Sequence, residues 1–296
     1  MSLNKPIWKL RHWINIEKLN FDNLSYNENA ISLLEKNQDK INWKKLTYNK
    51  NALKLLSENK DKIDWNILSL NINAISILSE NLDKINWDYL SLNINAIELL
   101  SENRDKINWY NLSYNVNAIK LLSENEDKII WENLSRNKNA IKLLSENLDK
   151  INWNCLSLNE NAIKFLSENE NKNKINWYYL SENKNAMKLL SENEDNIDWF
   201  HLSRNENAIS FLEKNLDKID WFNLSKNKNA IKLLSENQDK IIWYILSSNS
   251  AIFELDYEKM KENNIQMYEE LIKEVMKPSR VFKDPNYDYL EELFGD

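Results

Sequence analysis

Tryptophan recurs at a near-constant interval through most of this chain, at positions 43, 65, 87, 109, 131, 153, 177, 199, 221 and 243. Each step is 22 residues except one of 24, after Trp153, and Phe21 holds the same place one step before Trp43. A fixed period of this length marks a repeat architecture, whose units are too small to bury an apolar face alone and must stack on their neighbours. The interval sets eleven units and rules out an ordinary globular domain.

Counted from the aromatic as position 0, the unit reads W-x-x-L-S-x-N-x-N-A-I-x-L-L-S-E-N-x-D-K-I-N/D, as in Trp65 to Asn86. At 100° per residue, positions 0, 3 and 4 fall on one side of a helix and the variable positions 1, 2 and 5 on the other. Positions 9, 10, 12 and 13 (Ala74, Ile75, Ile77, Leu78) form the apolar arc of a second short helix, a pattern that strand alternation does not allow. The expectation is an all-α solenoid of about eleven two-helix units. A leucine-rich horseshoe is the rival fold, because Leu68 to Ile75 partly fits its pattern. Arg136, Glu182, Arg204 and Lys226 at position 5 do not suit its buried strand.

Helices this short are marginal alone in water, so packing between units must hold them. The tryptophans, set between Ile at position 20 and Leu at position 3, are expected to fill the shared core. With one Gly in 296 residues, asparagine must make the turns. Asn or Asp before each tryptophan (Asn42, Asp64, Asn86) is placed to cap helix one, and Asn71 and Asn73 to cap helix two. Asn81, after helix two, stands where a left-handed residue is usual. Ile85 is placed to act as a hydrophobic staple.

Three segments follow: residues 1–20 as an N-terminal cap, 21–252 as the repeat array, and 253–296 as a C-terminal helical cap with an acidic tail. An open array exposes the apolar faces of its end units, which is why atypical ends are expected. Trp8, Trp13 and Ile16 are candidates to cover unit one. After Asp256 a longer helix is expected, with Ile265, Tyr268, Leu271, Ile272, Val275 and Met276 at helical spacing before Pro278. Spaced like neighbouring helices, eleven units in an open row would make an arc on the order of 100 Å.

The function classes narrow by exclusion. A formal charge of -7 argues against nucleic acid as partner, since phosphate binding needs a clustered positive field. No apolar run reaches the roughly 18–20 residues that span a bilayer, and the start lacks a signal-peptide core, so the expectation is a soluble intracellular protein that needs no membrane. Cys155 is the single cysteine, at a variable position read as a surface thiol, and the histidines are His12 and His201 alone. Neither a metal site nor a cofactor is expected, and the chain is read as not an enzyme. The recurring acids Asp83, Asp105, Asp127 and Asp149 read as turn residues.

The informative positions are those that change between units. Positions 1, 2 and 5 carry Tyr48, Tyr89, Tyr110, Tyr114, Tyr178, Tyr179, Phe200, Phe222 and Tyr244, the candidate partner-binding residues. They either pack between adjacent units or form an aromatic stripe that another protein contacts.

The unit W-x-x-L-S-x-N-x-N-A-I-x-L-L with E-N-x-D-K-I-N-W resembles the repeat of uncharacterised proteins encoded by giant, mimivirus-like viruses. So do the opening Lys9-Leu10-Arg11-His12-Trp13-Ile14 and the closing Phe253 to Tyr257, Glu269-Glu270-Leu271 and Pro278-Ser279-Arg280. That family commonly has Pro between the two asparagines, where this chain has Glu28, Lys50, Ile72, Ile94 or Val116, and it has His where Lys277 stands. The resemblance implies a viral origin and lends no catalytic residue. The expected function is a monomeric, non-enzymatic scaffold or adaptor that binds a host or viral protein in the host cytoplasm or at a viral assembly site. The alternative is a structural component of the viral particle.

Overall fold

The computed structural model describes residues 6–168 and 171–275. The chain divides into two compact units, His12–Ile252 and Met1–Arg11 with Phe253–Asp296. The larger is an all-α solenoid of eleven repeats, as the periodicity predicts.

Each of the first ten repeats has three short elements, as in helix one from the tryptophan (Trp65–Leu68), helix two (Ile75–Ser79) and a 3-10 turn (Leu82–Lys84), while in unit eleven a 3-10 turn at Ser250–Ile252 takes the place of helix two. Helix one starts where a side chain can satisfy its free amides. Asn42 Oδ1 accepts from Lys45 N at 2.9 Å and Asp64 Oδ1 from Ile67 N at 3.2 Å. Where isoleucine replaces the cap, at Ile130 and Ile242, no such bond forms.

Two turn assignments differ from expectation. No residue other than glycine has positive φ among the described residues, and Asn81 sits at φ -137. Its amide instead donates back to Ile77 O at 2.8 Å, satisfying a carbonyl at the end of helix two. Helix two, for its part, begins at Ala74 without a side-chain cap. Asn71 and Asn73 are used between units.

The fully buried side chains are Leu at positions 3 and 13 and Ala at position 9, exemplified by Leu68, Leu78 and Ala74. The tryptophans are half-buried at the edge of this core rather than filling it. The lysine of the following turn lies over the indole, with Lys84 Nζ 4.5 Å from the Trp65 ring centre and Lys62 Nζ 4.2 Å from Trp43. A large ring shielded by an aliphatic stem keeps its N–H near water, so the core is built from leucine.

Successive helices one stack on each other, while helices two pack chiefly against the turn of their own unit. Between units runs an asparagine ladder. Asn71 Nδ2 donates to Thr47 O at 2.9 Å and Asn49 O at 3.2 Å in the unit before, its Oδ1 accepts from Asn73 N, and Asn73 Nδ2 donates to Lys50 O at 3.0 Å. Position 4 adds a second rung: Ser69 Oγ donates to Trp65 O and accepts from Asn86 N of the next unit at 3.0 Å. Buried backbone carbonyls are thus paired across the joints by asparagine side chains.

The ladder does not stop at unit one. Asn27 Nδ2 donates to Ser247 O at 3.1 Å and Asn249 O at 3.0 Å, and Asn29 Nδ2 to Ser250 O at 3.1 Å, the same bonds to unit eleven that units two to ten make to their predecessors. Lys18 Nζ lies 4.9 Å from the Trp243 ring centre, as turn lysines lie over the tryptophan of their own unit. His12–Ile252 therefore closes into a ring, and the open arc with covered ends is corrected. Residues 15–20, Asn-Ile-Glu-Lys-Leu-Asn, supply the turn that unit eleven lacks, with a 3-10 helix at Ile16–Lys18. Unit eleven is assembled from both ends of the array, so residues 12–20 belong to the ring.

The smaller unit holds a two-stranded antiparallel sheet not foreseen from the sequence, Trp8–Leu10 against Phe253–Leu255, with Arg11 paired to Glu254 at 3.1 Å. The expected helix runs over Tyr257–Val275, with Ile265 and Ile272 exposed. Met276, Pro278 and the acidic stretch Asp284–Asp296 lie outside the described residues.

Candidate binding surfaces of the ring

Helix one presents three variable positions, and the ring gives each a different environment. Position 2 faces the neighbouring helix one. Asn23, Ile67, Asn133, Cys155, His201, Asn223 and Ile245 are all buried there. The asparagines at this position extend the ladder: Asn133 Nδ2 donates to Tyr110 O at 2.8 Å, and Asn23 Nδ2 donates to Tyr244 O at 2.7 Å across the closure. Cys155, read from the sequence as a surface thiol, is 3% exposed. Helical angles alone put it on the outer side, but they take no account of a second helix lying against that side.

Position 1 is open to solvent. Tyr110, Tyr178, Phe200, Phe222 and Tyr244 are between 43% and 56% exposed. The last four occupy consecutive units, eight to eleven, so they form a continuous aromatic rim, while units one to four carry Asp22, Lys44, Asn66 and Asp88 at the same place. Tyr178 leans on His201 with ring centres 3.6 Å apart, and Lys226 Nζ lies 4.5 Å from the Phe222 ring centre. Of the other candidates, Tyr89 is exposed at position 2 of unit four, Tyr179 packs edge-on to Tyr178 at 5.2 Å, and Tyr114 packs edge-on to Tyr110 at 6.1 Å. Tyr48 is apart from the rim, at position 5, with its ring 5.4 Å from Tyr26.

Positions 5 and 7 line the inner wall. One cavity of about 300 Å³ is bounded by Tyr26, Tyr48, Leu70, Glu28, Lys50 and Ile72 with Lys228, Ser248 and Ser250, so it draws on units ten, eleven, one, two and three. A second, of about 330 Å³, is bounded by the same positions of units seven to ten. Convergence of five successive units on one space places these side chains on the concave side. Ion pairs run along the wall between neighbours, Lys184 to Glu206 at 2.9 Å and Arg204 to Glu182 at 3.5 Å. Glu28 takes both Lys50 of unit two and Lys228 of unit ten, the latter at 3.7 Å. Burial pushes the Glu28 carboxyl up, but the hydrogen bonds and charge of Lys50 and Lys228 outweigh it and hold the group below its ordinary value.

The one arrangement reminiscent of catalysis is His201 Nδ1 at 2.7 Å from Asp198 Oδ1. That carboxylate also accepts from His201 N as the cap of its helix, and the imidazole is buried against Tyr178. Asp198 thus holds the ring as part of the joint. Among the described residues no group of three His, Cys, Asp or Glu is placed to hold a metal ion, and no helix is long and apolar enough to cross a membrane. Comparison with family models, curated proteins and solved structures finds no match to this chain.

The inner wall escaped sequence reasoning because curvature is not written in any one unit. Its signal was nevertheless present: position 7, between asparagines in ten of the eleven units, changes character in nearly every repeat.

Proposed function

We propose that the ring is a non-enzymatic scaffold that binds another protein through the aromatic rim of units eight to eleven. The observation that supports this most is Tyr178, Phe200, Phe222 and Tyr244 standing exposed in four consecutive units, on a framework whose core positions 3, 9 and 13 barely vary. The core positions keep one residue in copy after copy, Leu at 3 and 13 and Ala at 9. An exposed position that turns aromatic over a third of the ring answers to something outside it. Exposed aromatic side chains beside Arg204 and Lys226 have the composition of interface anchors, which bury large area at small entropic cost.

The resemblance to giant-virus proteins sets the proposed setting, the cytoplasm of the infected host or a viral assembly site. The test is affinity capture from infected cells with the wild-type chain and with Phe200→Ser/Phe222→Ser/Tyr244→Ser. The reading expects a partner that the wild type retains and the variant loses, with thermal stability nearly unchanged. Equal capture by both would reject the rim. Recovery of the chain only within purified particles would favour a structural component instead.

A further inference from the structure

The inner wall has two unlike halves. Over units three to five it is uncharged and largely aliphatic, with Leu70, Ile72, Leu92, Ile94 and Val116 beside Tyr114. Over the rest of the ring positions 5 and 7 carry seven basic and four acidic side chains, within a chain whose formal charge is -7. The acidic ones are each tied to a basic neighbour, as in Lys184 with Glu206 and Lys138 with Glu160. Among the described residues Lys226 forms no ion pair; its ammonium lies over the Phe222 ring and it lines the same cavity as Arg204. An inward positive excess in an acidic protein focuses an attractive field on the space inside.

The ladder limits what that space admits. An asparagine amide that reaches two carbonyls of the preceding unit holds successive backbones roughly 5–7 Å apart, so eleven steps close a circle about 20–25 Å across. Side chains reaching in from both sides leave an opening on the order of 10 Å, room for one strand or one slender helix but not for a domain or a duplex.

We propose that the inner wall receives an acidic polypeptide segment bearing aliphatic side chains, its carboxylates toward Lys226 and Lys228 and its apolar residues toward Ile72 and Ile94. This second surface rests on the reading of the ring as a binding scaffold but not on the aromatic rim. A polypeptide suits the wall better than a nucleic acid. Four glutamates on the wall would repel a phosphate backbone, and Leu, Ile and Val side chains at these positions outnumber the rings of Tyr26, Tyr48 and Tyr114.

The test is fluorescence anisotropy on the full chain with short labelled peptides of glutamate and leucine, of lysine and leucine, and of glutamate and serine, together with a single-stranded oligonucleotide. The glutamate–leucine peptide is expected to bind, to weaken in added salt, and to lose about tenfold in affinity in Lys226→Glu/Lys228→Glu. Ile72→Ser/Ile94→Ser is expected to weaken that peptide and leave the glutamate–serine one unchanged. Because Lys228 also serves the closure, Lys226→Glu alone, with an unchanged far-ultraviolet spectrum, repeats the test in an intact ring. Retention of affinity in Phe200→Ser/Tyr244→Ser separates this wall from the rim, Phe222 being kept because its ring carries Lys226. Equal binding of the lysine–leucine peptide, no loss in the Lys226 variants, or binding of the oligonucleotide alone would overturn the proposal.

Discussion

The backbone amide of Asn20 donates to the hydroxyl of Ser247 at 2.8 Å although the two stand 227 positions apart in the chain. The same bond joins Asn42 to Ser25 and Asn86 to Ser69 within the array, at 3.0 Å in each case. Closure is therefore an ordinary joint of the repeat, made between its first and last members. Every ring position has two neighbours, and no apolar end face needs a cap.

If the joint between units eleven and one is equivalent to the others, the ladder asparagines should cost the same to remove at either place. Asn115 is buried and pairs with Ser91 O and Asn93 O, as Asn27 pairs with Ser247 O and Asn249 O. Asn115→Leu and Asn27→Leu should each destabilise by about 2–4 kcal/mol, because they strand buried carbonyls. Urea unfolding measures both. A neutral Asn27→Leu beside a costly Asn115→Leu would mean that unit one has nothing before it.

The core is built from leucine, with tryptophan at its edge, which orders the cost of side-chain deletions. Leu68 is fully buried, and Leu68→Ala should cost about 2–5 kcal/mol. Lys84, over the Trp65 ring, is exposed, and Lys84→Ala should cost no more than about 1 kcal/mol while altering the indole emission of its unit. Thermal unfolding followed by circular dichroism and by fluorescence reads the two effects. A lysine deletion as severe as the leucine deletion would put the tryptophans back in the core.

Much of this was legible beforehand. Trp65 begins a helix because the residue before it caps one, and Leu68 and Leu78 lie inward because helical spacing puts them there. Ring closure was missed for a physical reason: whether an array closes depends on a small rotation per joint, and no single repeat encodes the sum. The evidence lay at the two ends together. Asn15 to Asn20 matches Asn37 to Asn42, and unit eleven, from Trp243, lacks that segment. Cys155 was misplaced for a related reason, since a wheel drawn for one helix cannot show the helix stacked against it.

Acid should loosen the closing region first. The Glu28 carboxyl, ordinarily near 4.5, is held lower by its lysines, so its contribution is fully present above that value and is lost as pH falls through the lowered one. Asp22, held down chiefly by the hydrogen bond from Lys45, behaves the same way at the joint of units one and two. Glu28→Gln should cost under about 1 kcal/mol at neutral pH, as partly exposed pairs do, and should flatten part of the stability loss below pH 4.5. Unfolding midpoints across that window check it. A variant with the full wild-type acid dependence would contradict the assignment.

Closure itself is tested most directly on the unaltered chain. Glu28 contacts Lys50 of the adjacent unit and Lys228 of unit ten, at 3.7 Å, so a zero-length carbodiimide should join it to either lysine. In the monomer fraction of a dilute cross-linked sample, mass spectrometry of the digest should find Glu28 linked both to Lys50 and to Lys228. The Lys50 product shows that the carboxyl has reacted. Linkage to Lys50 with none to Lys228 would mean that the array is an open arc.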